Sequence, residues 1–263
     1  MTIRVAVTGA TGKLGSVAVR LIEQADDLEL VAALDSRTSL EAMRGADVLL
    51  DVTLPSVSER IVRYGLDEGL NVVVGTSGWS AERIAGVAGG LGAEQGVIVI
   101  PNFSLGSALA TSFAAQAATF FDSIEIIEAH RATKIDSPSG TAVRTAELIG
   151  EARAQVGPPL APHSDQRARG QQVAGVPIHS MRVNGLAARQ QVLLGGQGET
   201  LTITHDTLDS SAYEAGILLA LRRAATQRGI TVGLENLIDL SGAPTGGRPS
   251  KTGARPEKSG PAE

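Results

Sequence analysis

From Ile3 to Ile100 the apolar positions switch repeatedly between two periods. Ile3 to Val7 is a short continuous apolar run, the pattern of a strand buried on both faces. From Leu14 to about Gln24 the spacing becomes helical, with Leu14, Val17, Ala18, Leu21 and Ile22 on one face. Further strands are predicted at Leu28 to Leu34, Ala46 to Val52, Asn71 to Val74 and Val97 to Ile100. Helices are predicted between them, at about Val57 to Glu68 and over residues 80 to 93. Alternation of this kind predicts βαβ units around a parallel sheet.

After Pro101 the rhythm changes. An Ala-rich helix, Leu105 to about Phe120, leads to a strand at 124–127 and then to a helix from Thr141 to about Gln155. Residues 157 to 175, rich in Pro, Gly, Gln and Arg, are expected to form an irregular loop. Strand-like runs follow at Pro177 to Val183, Gln190 to Leu194 and Thr200 to Thr207, the last alternating as in a half-exposed sheet. A final helix, about Ser211 to Gln227, is apolar on one side and is expected to pack back on the first unit. Beyond Gly242 the composition is aperiodic, and 243–263 are expected to be a disordered tail.

The loop after the first strand sharpens this picture. Gly9-Ala10-Thr11-Gly12-Lys13-Leu14-Gly15 joins a strand to a helix, and glycines there permit a tight turn and close approach of a pyrophosphate to the helix N-terminus. Asp35 ends the second strand about 20 residues further on, where a carboxylate can take the adenosine ribose hydroxyls. Asp35 favours NAD, whereas Lys13 and Arg37 at the same corner can neutralise a 2′-phosphate, so use of both NADH and NADPH is expected. Ligands of open α/β sheets lie outside the carboxyl ends of the strands. Thr53, the Gly75-Thr76-Ser77 turn and the Asn102-Phe103-Ser104 segment are therefore expected around the nicotinamide. The resulting fold class is α/β. A Rossmann-like dinucleotide-binding domain (1–102 and 211–242) is joined to a second α+β domain with an open mixed sheet (103–210), expected to bind substrate and to associate with other subunits.

Composition narrows the chemistry. The chain contains no cysteine, which excludes a disulfide framework, a zinc–thiolate site and a cysteine nucleophile, and no metal site is expected. A net charge of −5 argues against nucleic acid as a partner. No apolar run reaches the roughly 18 to 20 residues that span a bilayer. The chain opens directly on a strand pattern without a basic n-region or cleavage site, so a soluble cytoplasmic protein is expected.

Reactive side chains concentrate in one stretch, Glu128-Ala-His130-Arg131-Ala-Thr-Lys134-Ile-Asp136-Ser-Pro-Ser139-Gly140-Thr141. Lys134 is the only lysine between Lys13 and Lys251, and His130 is one of 4 histidines. An apolar strand precedes the stretch and a helix begins at its end. Such a layout suits binding an anion at the helix start and moving a proton from His130 or Lys134. Asp136 before Ser-Pro reads as a turn former. His163, His179 and His205 have no partner spacing and are assigned no role.

The motif Glu128 to Ala142, with Val-Gly-Thr-Ser-Gly (74–78), Pro-Asn-Phe-Ser-Leu-Gly (101–106) and Leu-Leu-Gly-Gly-Gln-Gly-Glu (193–199), resembles the dihydrodipicolinate reductase family from Ile3 to about Leu240. The resemblance implies NAD(P)H-dependent reduction of 4-hydroxy-tetrahydrodipicolinate, a heterocyclic dicarboxylate of lysine and diaminopimelate biosynthesis, by a homotetramer. It implies His130 as acid/base, Lys134 as proton donor, and Ser139, Gly140 and Thr141 as the grip on a carboxylate. Cofactor contacts are implied at Gly9 to Leu14, at Asp35, at Gly75 to Ser77 and at Pro101 to Ser104. Arg131 and Thr133 stand where the family often has further histidines. Arginine still binds a carboxylate but cannot act as an acid near neutral pH, so proton transfer falls to His130 and Lys134.

Two other readings compete. Thr8 to Gly12 also resembles the opening of extended short-chain dehydrogenases. Those need a Tyr-x-x-x-Lys pair, and here Tyr64 is followed by Glu68 and Tyr213 by Ile217. A non-enzymatic dinucleotide-sensing regulator would bind NAD(P)H without turnover.

Overall fold

A computed structural model describes residues 2–239, so the expectation for 243–263 lies outside the described residues. The first sheet is parallel throughout. It is built from β1 (Ile3–Thr8), β2 (Leu28–Leu34), β3 (Val48–Asp51), β4 (Asn71–Val74), β5 (Gly96–Val99) and β11 (Gly229–Val232), in the order β11-β5-β4-β3-β1-β2. β3, β4 and β5 are buried along their whole length, which is why they read as unbroken apolar runs. Full burial of one Val, Leu or Ile contributes about 1.5–3 kcal/mol, so these short strands hold the middle of the molecule.

Helices cover both faces. α1 (Lys13–Gln24) and α6 (Glu214–Ala224) pack on one face of this sheet. α2 (Pro55–Asp67) and α3 (Ala81–Ala88) pack on the other. The side chain of Ser80 caps α3 by accepting from the Arg83 N–H.

The second sheet is mixed and open. β6 (Ser123–His130), β7 (Gln171–Val173), β8 (Val176–Arg182), β9 (Ala188–Gly196) and β10 (Glu199–Thr207) lie in the order β10-β9-β6-β8-β7, and only β6 and β8 are parallel. α4 (Leu105–Ala117) and α5 (Gly140–Ala152) cover one face, packing Ala114, Ala142, Ala146 and Ile149 against Ile124, Ile126, Val192 and Leu194. The α/β class and the open mixed second sheet are as expected.

Three expectations are corrected. Residues 157–175 are not wholly irregular, because they contain a short 3-10 turn (Arg167–Arg169) and β7. β7 forms a hairpin with β8 through Ala174 and Gly175, whose φ angles of 48° and 82° allow a tight reversal. β11 was not foreseen; it extends the first sheet by pairing parallel to β5. The last helix is shorter than expected, since Ser210–Tyr213 is a 3-10 turn and regular α-helix starts at Glu214.

A candidate active site where the two sheets meet

The dinucleotide cradle is testable on geometry. A Cβ at Gly9 would lie 2.5 Å from the Val52 carbonyl oxygen, and one at Gly15 only 2.1 Å from the Gly9 oxygen. Gly9 also sits at φ 78°. The loop therefore folds against itself so tightly that only glycine fits. α1 starts with Gly12 as its N-cap, which brings no capping side chain. The first-turn N–H groups of α1 thus remain without a side-chain acceptor, at the positive end of the helix. These residues fit a pyrophosphate.

Asp35 closes the same corner. Its carboxylate accepts from the backbone N–H of Arg37 (2.9 Å) and of Thr38 (3.1 Å), and the Arg37 guanidinium lies 3.2 Å away. The Arg37 backbone hydrogen bond, then those of Thr38 and the Arg37 side chain, hold the carboxyl at a pKa of about 2. The Arg37 side chain is otherwise free, 88% exposed.

The strand-end loops are tied together from beneath. Asp51, fully buried at the end of β3, accepts from the hydroxyls of Thr8 (3.0 Å), Thr53 (2.6 Å), Ser58 (2.5 Å) and Thr76 (2.8 Å). The Thr76 hydroxyl also accepts from the Thr53 N–H at 2.8 Å, so its side chain faces this network. Phe103 and Ser104 are buried too. Phe103 packs over Gly75, and Ser104 caps α4 by accepting from the Ser107 N–H. Thr76, Phe103 and Ser104 thus shape their loops with their side chains.

His130 ends β6. Its Nδ1 lies 2.5 Å from Glu128 Oε2. An ionised carboxylate only accepts, so Nδ1 carries the proton and Nε2 is left for another partner. Glu128 has no exposed surface. It accepts from both Arg182 terminal nitrogens (2.9 and 3.0 Å) and from the Ser139 N–H (3.2 Å). Burial opposes its charge, but hydrogen bonds from His130, Arg182 and Ser180 outweigh burial and hold the carboxyl down at about 2. Ser139 in turn caps α5, its hydroxyl accepting from the Ala142 N–H. One buried carboxylate therefore orients both the histidine and the helix start.

His130, Ser139 and Thr141 line one small cavity with Asn102 and Ser107. The lining continues along the neighbouring strands β9 and β10 with Ala188, Arg189, Gln190, His205 and Thr207. Asn102 joins the two halves, donating to Ser107 Oγ (3.2 Å) and Thr141 Oγ1 (3.3 Å) while its Oδ1 accepts from the Ser104 N–H. Lys134 and Arg131 stand apart from this lining. The Lys134 ammonium is 2.7 Å from Asp136, so that aspartate is an ion-pair partner as well as a turn residue. Burial works against the Asp136 charge, but the Lys134 hydrogen bond prevails and lowers its pKa. Arg131 is exposed.

Glu128, Arg182, Gln190 and His205 were missed from the sequence. His205 Nε2 lies 3.1 Å from Ser104 Oγ, and burial pushes its imidazole below the usual histidine range against the pull of Asp206. Of the other histidines, His179 pairs with Glu125 (2.7 Å). Among the described residues no group of three or more His, Asp or Glu is arranged to hold a metal ion.

Comparison with known proteins identifies the family and the fold. The family described as "Dihydrodipicolinate reductase, N-terminus" matches residues 3–103, and "Dihydrodipicolinate reductase, C-terminus" matches 106–238. A 4-hydroxy-tetrahydrodipicolinate reductase of Clavibacter sepedonicus is 60% identical over 247 residues, covering 92% of this chain and 88% of the relative. The enzyme of that name from Streptomyces griseus is 48% identical, with 91% and 99% covered. A solved dipicolinate-bound dihydrodipicolinate reductase from Paenisporosarcina sp. TG-14 superposes with a TM-score of 0.78 at 34% identity, covering 90% of this chain and 100% of that one. With both of its parts matched in order and its fold shared, this chain belongs to the dihydrodipicolinate reductase family.

Proposed function

We propose that this chain is the NAD(P)H-dependent reductase that converts 4-hydroxy-tetrahydrodipicolinate to tetrahydrodipicolinate in lysine and diaminopimelate biosynthesis. The observation that carries the reading is the Glu128–His130–Ser139 unit, which sets a histidine and a helix N-terminus side by side on a cavity shared with the 101–104 loop. Residues 1–102 with 211–242 hold the dinucleotide and 103–210 the substrate. Gly9, Ala10, Thr11, Gly12, Lys13 and Leu14 hold the pyrophosphate, and Asp35 with Arg37 takes the adenosine ribose. Thr53, the Gly75-Thr76-Ser77 turn and Pro101 to Ser104 border the nicotinamide. The bound dinucleotide supplies a hydride.

The rest falls to side chains and backbone of this chain. Ser139, Gly140 and Thr141 bind one substrate carboxylate through hydroxyls and the first N–H groups of α5. Lys134 and Arg131 take the second carboxylate, Lys134 exchanging Asp136 for it. Loss of the ring hydroxyl as water gives a conjugated imine. Hydride addition to it leaves negative charge on the ring, and His130 protonated at both nitrogens or the Lys134 ammonium delivers the neutralising proton.

Removing the Asp35 side chain tests the ribose assignment. Asp35→Ala raises the KM for NADH about tenfold, the worth of a hydrogen bond to a charged group, but that for NADPH less than about threefold. Equal losses, measured by initial rates with each dinucleotide, would remove Asp35 from the ribose.

No described helix is long and apolar enough to cross a membrane, and we place the enzyme in the cytoplasm. We further propose a homotetramer joined through the uncovered face of the second sheet, where Met181, Thr202 and Thr204 are exposed. Light scattering coupled to size exclusion should return four times the chain mass; a monomer mass would refute the assembly. The activity itself is tested by generating the substrate enzymatically and following oxidation of NADH or NADPH. No oxidation with either dinucleotide would sink the reading.

A further inference from the structure

One polar atom at the site has no role in the mechanism above. Gln190 is 8% exposed and lines the same cavity as Ser139 and Thr141. Its Nε2 donates to Thr145 Oγ1 at 2.9 Å, and its Oε1 has no hydrogen-bond partner. The orientation of this amide is fixed from below. Thr145 donates its single hydroxyl proton to the Thr141 carbonyl (2.9 Å), so it can only accept from Gln190 and from Thr111 (2.9 Å). Thr145 is fully buried and Thr111 nearly so, which makes the chain Thr111–Thr145–Gln190 a rigid internal support. It commits the amide nitrogen and leaves the amide oxygen as a bare acceptor.

The rest of the lining has the opposite character. Ser139 and Thr141 can each donate from a hydroxyl, and α5 begins at the same place. Those groups suit carboxylates. The carboxylates of an ionised dicarboxylate offer only acceptors, and against them the Gln190 oxygen would stay unsatisfied in a desolvated place. A ligand that carries a hydroxyl between its carboxylates satisfies both sets.

We infer that Gln190 is a specificity-determining residue, whose amide oxygen accepts a hydrogen bond from the ring hydroxyl of the substrate. The inference rests on the substrate assignment above and adds the expectation that the hydroxylated ring is preferred over a plain dicarboxylate. A pocket built around a hydrogen bond to a ligand hydroxyl rejects the analogue that lacks it more strongly than an apolar pocket discriminates by size.

The test uses a matched pair of probes, piperidine-2,6-dicarboxylate with and without a 4-hydroxyl, in both epimers, titrated calorimetrically into the NADH-loaded enzyme. Wild type should bind one hydroxylated epimer about tenfold more tightly than the parent, as expected for one satisfied acceptor. Gln190→Met, similar in length but without an acceptor, should reduce that preference to within about twofold while binding of the parent is kept. In turnover, the same variant should raise KM for the natural substrate and leave the NADH dissociation constant unchanged. Equal binding of the probes by wild type overturns the inference without reference to any variant. So does a Gln190→Met enzyme that weakens both probes alike, which would make Gln190 a wall and nothing more. Wild-type turnover of 4-hydroxy-tetrahydrodipicolinate is the separate control: its absence removes the substrate assignment, whereas normal turnover with indifferent probes removes Gln190 alone.

Discussion

Lys134→Ala is expected to lower kcat by at least about 10²-fold, the scale of a lost general acid, and to leave the dissociation constant for NADH within about twofold. Lys134 lies in a loop that contributes nothing to the glycine cradle, and its contact is the partly exposed Asp136, whose side chain is 57% accessible. Ion pairs of that exposure contribute at most about 1 kcal/mol, so the melting temperature should barely move and the loss is chemical. Single-turnover rates with saturating dinucleotide make the measurement. Unchanged turnover would take lysine out of the reaction and leave His130 as the only proton source.

A second substitution should act on stability and catalysis together. Glu128→Gln removes the charge to which Arg182 and His130 are both bonded. Stripping a buried ion pair of one partner costs about 3–5 kcal/mol, which corresponds to a fall in melting temperature on the order of 10 °C for a chain of this size. His130 loses the carboxylate that fixes its tautomer, so kcat should fall even where the variant is fully folded. The pH dependence gives a further check. The Glu128 carboxyl lies near 2 in the fold against an ordinary 4.5. Its stabilisation is therefore complete above about 4.5 and is lost as pH falls toward 2. Wild type should lose stability across that window, and Glu128→Gln should lose distinctly less. A variant that melts like wild type at neutral pH would mean that Arg182 finds another partner.

How much of this was legible beforehand depends on whether a feature is written along the chain or across it. The glycine loop, Asp35 and the stretch from His130 to Thr141 are contiguous or set at a fixed distance, and the structure places them at strand ends and helix starts. The β9 and β10 lining of the cavity is not contiguous with anything. In the sheet register Glu128 pairs with Gln190, Gln190 with His205, and His130 with Arg182. Those two neighbouring rows together span four strands, so no spacing in the sequence announces them. The signal available was parity. His205 falls on the same face as Ile203, and Gln190 on the same face as Val192 and Leu194, so each is a polar residue at a core-facing position. β11 escaped for a different reason. Gly-Ile-Thr-Val carries only two large apolar residues, and its strand character comes from pairing with β5.

Asn102 has one more consequence. Its amide nitrogen bonds to Thr141 Oγ1, where we propose that a carboxylate binds, while its oxygen fixes the Ser104 N–H in the loop that we propose borders the nicotinamide. The two ligands thus share a single side chain as a neighbour. If a carboxylate at Thr141 changes the affinity for dinucleotide through Asn102, thermodynamic linkage requires dinucleotide to change the affinity for carboxylate by the same factor. Mutual coupling of the two ligands would then follow from one asparagine, with no movement of either sheet.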